Sequence, residues 1–119
     1  MGRLAGRLLV AVAAIHILFG VWFGGSALVA IARDGFFNAV AAHQGRQLVF
    51  WFIFSGVAFL IVGQLACWAE AQGKRLPAFL GWEIALIAIT VGVLLPASGW
   101  FLMLPPAALI LVGSRHRTD

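Results

Sequence analysis

The chain has 119 residues and a net charge of +4; 63% of its residues are hydrophobic and 10% are charged. Soluble globular chains carry roughly 45–50% apolar and about 25% charged residues, so this composition excludes an ordinary soluble domain. The basic residues lie at the ends of apolar runs, where they meet lipid headgroups. We therefore expect the lipid bilayer, and no nucleic acid, as a partner. The single cysteine, Cys67, excludes an intrachain disulfide.

The apolar runs predict an all-α fold: an integral membrane four-helix bundle that forms one transmembrane domain over residues 1–119. Each span needs about 20 apolar residues. The predicted spans are about 8–31, 48–69, 77–95 and 98–113, with an outer loop at 32–47. All Lys and Arg residues except Arg33 and Arg46 then lie at the ends that hold the chain termini. The positive-inside rule predicts that both termini are cytoplasmic.

The first predicted span carries a histidine on a face of small residues. His16, Gly20 and Gly24 recur at intervals of four, which places them on one side of a helix. Because small residues let a second helix approach closely, His16 is predicted to point into a helix contact. Three interpretations stay open: a buried imidazole bonded to a carbonyl or to Gln64, a proton relay with Glu83, and haem ligation.

Haem ligation depends on a second histidine at the same depth. His43 falls in the outer loop and His116 in the tail, so haem would need His16 from each of two protomers. In that outer loop, Asp34 is predicted to cap a short interfacial helix that carries Phe36, Phe37 and Val40 on one side.

Polar side chains on the second and third predicted spans extend this candidate site. Counted from the nearest charges, His16, Gln64 and Glu83 fall at a similar depth in the cytoplasmic half, which allows a shared polar cluster. On the third span, Glu83 and Thr90 lie opposite a stripe of small residues. That stripe consists of Gly81, Ala85, Ala88 and Gly92.

Two arrangements of the third span stay open. Either the small stripe packs inside the bundle and Glu83 faces outward to headgroup water, or Glu83 faces inward and the stripe meets another protomer. In the fourth span, Pro105 and Pro106 fall in the middle of the predicted helix. They predict either a packed kink or a partly re-entrant segment.

No catalytic motif and no metal-binding motif is visible, so the sequence does not favour an enzyme or a metal site. The likeness to known proteins lies in four strings: HILFG at 16–20, IARDGFFNAV at 31–40, FWFIFSG at 50–56 and LPASGWFLMLPPA at 95–107. Together they resemble a group of short bacterial four-span membrane proteins catalogued as a domain of unknown function. The resemblance implies a bacterial four-helix membrane protein and supplies no activity. We expect a multi-pass protein of the bacterial inner membrane.

Three functions follow as expectations. The first is a binding or accessory module with close helix packing, which forms a homo-oligomer or joins a larger membrane complex. The second is a proton-coupled small-molecule transporter that uses Glu83 and His16. The third is an intramembrane haem or quinone binder, and the sequence names no cofactor with certainty.

Overall fold

The computed structural model describes residues 4–95 and 99–115, and within them every regular element is a helix. The all-α prediction is therefore confirmed. The elements are α1 Leu4–Phe23, α2 Gly25–Arg33, α3 Gln44–Ala71, α4 Ala78–Leu94, a 3-10 helix at Trp100–Met103, and α5 Leu104–Arg115.

Two helices are long and apolar enough to cross a membrane: α1 with 20 residues and α3 with 28 residues. Helix α4 and the segment Phe101–Arg115 are shorter apolar helices. Large hydrophobic side chains cover the outside of the molecule, and Trp22 and Phe37 are 78% and 94% exposed. The interior is built largely from small side chains. The large side chains of the helices therefore face outward and the small ones face the other helices.

Helices α1 and α3 pack side by side in opposite directions, with glycines along the contact. A Cβ atom added at Gly63 would come within 2.8 Å of the backbone nitrogen of Val10, and one at Gly56 within 2.8 Å of His16. Gly56 and Gly63 are seven residues apart, the spacing that keeps a contact on one side of two helices that cross at a shallow angle. Gly6 and Gly20 take the same role on α1, and Gly24 takes it directly after α1.

Helices α4 and α5 form a second antiparallel pair that covers the beginning of α1. A Cβ atom at Gly81 of α4 would meet the Leu111 side chain at 2.8 Å and the Ala107 carbonyl at 3.1 Å, both on α5. The buried core joins all four long helices through Ala5, Leu9, Ala66, Ile84, Ala107 and Ile110. We call the end of the bundle where α1 begins and α3 and α5 end the terminal end, and the opposite end the loop end.

The first predicted span, 8–31, is interrupted near its outer end. Helix α1 stops at Phe23 and α2 starts at Gly25, although hydrogen bonds from Gly24 to Gly20 and from Leu28 to Gly24 continue the ladder across the break. Gly24 lies hard against Val49 of α3. The flexible glycine pair at this close contact gives the helix its break.

The predicted helix in the outer loop is wrong, because the chain makes a series of turns there. Asp34 follows the last residue of α2 instead of starting a helix. Phe36 and Asn38 have φ values of 67° and 53°, and left-handed residues cannot continue a right-handed helix. Asp34 instead forms a salt bridge of 2.7 Å with Arg46 of α3, which ties the two ends of the loop together.

The predicted proline kink in the fourth span is also corrected. Pro105 and Pro106 stand in the first turn of α5, directly after the 3-10 helix at Trp100–Met103. Amide hydrogens of a first turn have no partner inside the helix, so proline loses nothing there. The prolines therefore start a helix rather than bend one. The junction of the third and fourth predicted spans, residues 96–98, lies outside the described residues.

Candidate functional site

His16 on α1 is fixed against α3 by a hydrogen bond and a ring stack. Its Nε2 lies 2.8 Å from the carbonyl oxygen of Phe52 and 3.2 Å from the hydroxyl oxygen of Ser55. The imidazole stacks on the Phe52 ring with 3.9 Å between centroids and 12° between planes. Gly56 leaves the room for this contact. A half-buried histidine bonded to a backbone carbonyl matches the simplest of its three interpretations.

The hydrogen-bond network assigns the tautomer of this imidazole. A carbonyl oxygen only accepts, and Ser55 already donates its hydroxyl hydrogen to the same Phe52 oxygen at 2.8 Å. Nε2 of His16 therefore carries the hydrogen, and in the neutral ring Nδ1 is the basic nitrogen. The described residues make no hydrogen bond to Nδ1.

The other polar residues predicted for a shared cluster lie apart from His16. Gln64 is exposed on α3. Its neighbour Gly63 faces Val10 while Gly56 faces His16, so Gln64 lies about 10 Å from the level of His16 along the helix. The depth estimate failed because it counted each helix from its own end, whereas the register of α1 against α3 brings Gly63, next to Gln64, to Val10.

Helix α4 shows which of its two faces is inside. Gly81 and Ala88 are buried, and Ala85 and Gly92 are half-buried, whereas Glu83 and Thr90 are exposed. This is the first of the two arrangements left open by the sequence. Thr90 donates its hydroxyl to the Leu86 carbonyl at 2.7 Å within its own helix. Neither Glu83 nor Thr90 shares a contact with His16.

The exposed face of α4 carries a regular seam of side chains. Its members alternate at intervals of four and three, the a and d spacing at which one helix meets another. Phe79, Leu86 and Val93 are 63%, 65% and 73% exposed. We call this surface the α4 seam: Phe79, Glu83, Leu86, Thr90 and Val93.

Glu70 is a site residue that the sequence analysis missed. Its side chain is 9% exposed, and its Oε1 accepts a hydrogen bond of 2.8 Å from the amide of Gly6. Gly6 lies in the first described turn of α1, and within the described residues its amide has no acceptor in its own helix. Glu70 therefore caps α1 from α3, at the positive end of the α1 dipole. An acid in the last turn of an apolar helix is unfavourable for that helix. The position of Glu70 in the sequence was therefore the signal that could have indicated a role outside its own helix.

A pocket of about 330 Å³ lies beside Glu70 at the terminal end. Helix α3 ends there with Gly73 at φ 74°, where the amides of Gly73 and Lys74 bond back to Glu70 and Ala69. This C-terminal motif turns the chain sharply and sets Lys74 and Arg75 at the edge of the pocket. The wall opposite comes from α5 through Leu109, Ile110, Val112 and Gly113.

A wider groove of about 870 Å³ lies at the loop end, beside Arg46 and His43. Arg46 is already engaged, because it donates to the Asp34 carboxylate and to the Ala39 carbonyl, both at 2.7 Å. Gln47 donates to the Ala41 carbonyl and fixes the same loop. These contacts engage Asp34, Arg46 and Gln47 in holding the loop against α3.

Comparison with known proteins identifies a family for this chain, but no activity is known for that family. No group of three or more His, Cys, Asp or Glu residues in the described ranges could hold a metal ion. No curated protein and no solved structure matches the chain. A family model described as a family of unknown function (DUF6463) matches residues 1–117, which is nearly the whole sequence and confirms the resemblance to a family of unknown function. The chain belongs to this family of unknown function.

Proposed function

We propose that the chain is a multi-pass protein of the bacterial inner membrane that works as an accessory module and binds a second transmembrane helix through the α4 seam. The partner is a second copy of the chain, which makes the protein a homo-oligomer. The observation that carries the proposal is the exposure of two polar residues, Glu83 and Thr90, on an otherwise apolar helix face.

Helix length and charge support the placement in a membrane. At about 1.5 Å per residue, α1 and α3 reach about 30 Å and 42 Å, enough for a hydrocarbon core of about 30 Å. Helix α4 has 17 residues, the lower limit of about 17 for a span. Arg7, Lys74, Arg75 and Arg115 lie at the terminal end, against Arg33 and Arg46 at the loop end. This distribution favours a cytoplasmic terminal end with four spans.

Glu83 is an acid on a helix face that would meet lipid, which costs free energy. A carboxylate at the centre of a spanning helix costs about 2.5–3.5 kcal/mol on insertion scales. Glu83 lies near the start of α4 and beside the exposed Trp82, so headgroup water lowers this cost without removing it. A second helix that offers a hydrogen-bond donor lowers the cost further, typically by about 0.6–2 kcal/mol for one interhelical bond.

A second copy fits the seam because each residue would meet its own counterpart across a two-fold axis. Phe79, Leu86 and Val93 would then each contact the same apolar side chain of the second copy. The level of Thr90 would pair two hydroxyls, and the level of Glu83 would pair two carboxyl groups. A polar residue at an a position fixes register and partner number in helix pairs.

Disulfide cross-linking in membranes tests the proposal. In a Cys67→Ala background, Leu86→Cys places the thiol on the α4 seam, and Leu65→Cys places a matched thiol on the exposed face of α3. We expect oxidation to link two Leu86→Cys chains and to leave Leu65→Cys chains single. Native mass spectrometry should show two chains for the unmodified protein and fewer dimers for Glu83→Leu. One chain only, with no cross-link at position 86, contradicts the proposal.

The two alternatives receive less support from the geometry. A proton-coupled transporter needs a path between His16 and Glu83, and these residues lie on α1 against α3 and on the outer face of α4. A haem or quinone binder would use the basic Nδ1 of His16, since Nε2 is held by Phe52. A Soret band that disappears in His16→Ala would favour the haem binder.

A further inference from the structure

The pocket at the terminal end combines a buried acid, two bases and an apolar wall. Its volume of about 330 Å³ falls in the range of roughly 300–1,000 Å³ that small-ligand pockets occupy. Glu70 lies inside it, Lys74 and Arg75 line its edge, and Leu109 and Val112 of α5 form part of the wall. One ligand with a cationic, an anionic and an apolar part would match all three features.

Glu70 has a second carboxylate oxygen available to a ligand. Its Oε1 holds the Gly6 amide, and no basic side chain within residues 4–95 and 99–115 forms an ion pair with it. A buried carboxylate that has one neutral hydrogen bond keeps much of its desolvation cost. A cation with N–H groups offsets this cost best, because it supplies both charge and hydrogen bonds.

The two bases are placed for an anion at the mouth of the pocket. Lys74 and Arg75 are exposed, and Nζ of Lys74 lies 5.3 Å from the centre of the Trp68 ring. Trp side chains favour the headgroup level of a bilayer, so both bases lie where lipid phosphates are found. Val112, 42% exposed on α5, continues the apolar wall outward.

We propose that this pocket binds the headgroup of a phospholipid that carries a primary ammonium group. The ammonium enters the pocket and donates to the second carboxylate oxygen of Glu70. The phosphate stays at the mouth between Lys74 and Arg75, and the acyl chains follow the Val112 side of α5. A trimethylated headgroup has no N–H donor, so the site prefers phosphatidylethanolamine to phosphatidylcholine. This site is separate from the α4 seam and does not depend on self-association.

The experiment compares two lipids that differ only in the amine. The purified full chain is exchanged into detergent with equal amounts of palmitoyl-oleoyl phosphatidylethanolamine and palmitoyl-oleoyl phosphatidylcholine, and bound lipid is counted by native mass spectrometry. We expect about tenfold more bound phosphatidylethanolamine, the factor that one charge-assisted hydrogen bond gives. Equal retention of the two lipids overturns the proposal. So does displacement of bound lipid by equimolar soluble glycerophosphoethanolamine, which would make this a site for the free headgroup.

Three variants locate the site. In Glu70→Gln the amide oxygen still accepts the Gly6 hydrogen bond, so the helix cap stays while the charge is lost; the preference should fall to about one. Lys74→Ala combined with Arg75→Ala should lower the retention of both lipids. Asp34→Asn removes an acid at the loop end, outside the pocket, and should change neither value. A preference that persists in Glu70→Gln, or that disappears in Asp34→Asn, overturns the proposal.

Discussion

The Glu70 carboxylate accepts a hydrogen bond of 2.8 Å from the Gly6 amide, 64 residues earlier in the chain. This bond joins the last turn of α3 to the first turn of α1. An acid of one helix therefore accepts the hydrogen bond of a first-turn amide in another helix. A Cβ atom at Gly6 would lie 2.6 Å from the Cys67 amide nitrogen and 2.7 Å from the carboxylate itself. The close approach therefore depends on the glycine as much as on the acid.

Replacing Glu70 should test this cap directly. Glu70→Ala removes the acceptor and leaves the buried Gly6 amide without a partner, which costs about 1–3 kcal/mol. Glu70→Gln keeps an acceptor oxygen and should lose less. Thermal unfolding in one detergent, followed by circular dichroism, compares the two variants with the parent. Equal loss in both variants would show that the charge, rather than the hydrogen bond, stabilises this end of the bundle.

The helical elements could be predicted from hydrophobic runs alone, because apolar length needs no tertiary information. The boundaries depended on local chemistry. Gly24 could be read as part of a helix face, but its contact with Val49 of α3 decided where the helix breaks. The prolines at 105 and 106 predicted a kink or a partly re-entrant segment. The 3-10 helix directly before α5 instead places both prolines in the first turn of α5.

Which helices pack against each other, and in which register, was harder to predict from the sequence. Gly56 and Gly63 are separated by seven residues, a spacing visible in the sequence that predicts a helix contact on α3, whereas the predicted contact face lay at Gly20 and Gly24. The depth comparison between His16 and Gln64 required the register of α1 against α3. That register depends on which glycine meets which side chain, and a single sequence does not contain it.

Close packing at Gly63 makes a second prediction. A methyl group there meets the Val10 backbone nitrogen at 2.8 Å and the Leu9 carbonyl carbon at 3.1 Å, and backbone cannot move aside as a side chain does. Gly63→Ala should therefore destabilise the protein by about 1–3 kcal/mol. Gly45 in the first turn of α3 has nothing within 4 Å. The matched variant Gly45→Ala should be neutral or stabilise by up to about 1 kcal/mol, since alanine favours helix.

The same unfolding assay in one detergent measures both glycine variants, and cross-linking between α1 and α3 reports whether the helices have separated. Equal stability of Gly63→Ala and Gly45→Ala would contradict the packing of α1 on α3 described above.

The tautomer of His16 makes a third prediction. Because the Phe52 carbonyl accepts from Nε2, the neutral ring should be in the Nε2–H form, and ¹⁵N spectra of the labelled protein distinguish this form from the Nδ1–H form. His43, which is exposed at the start of α3, serves as the internal comparison and should show a mixture. His16→Ala should also lose the stack on Phe52, and with it about 0.5–1.5 kcal/mol. An Nδ1–H signal for His16 would contradict the assigned hydrogen bond.

The salt bridge of the outer loop makes the last prediction, and the two partners should respond differently. The Arg46 side chain is 16% exposed and the Asp34 side chain 51% exposed, so solvent screens the pair and Asp34→Asn should cost about 0–1 kcal/mol. Arg46→Ala should cost more, because it also leaves the Ala39 carbonyl without its donor at 2.7 Å. Unfolding at low and high salt separates the contributions: the effect of Asp34→Asn should shrink with salt, while the added loss in Arg46→Ala should persist. If both variants lose the same stability at every salt concentration, the hydrogen bond to Ala39 contributes nothing and the loop is held by charge alone.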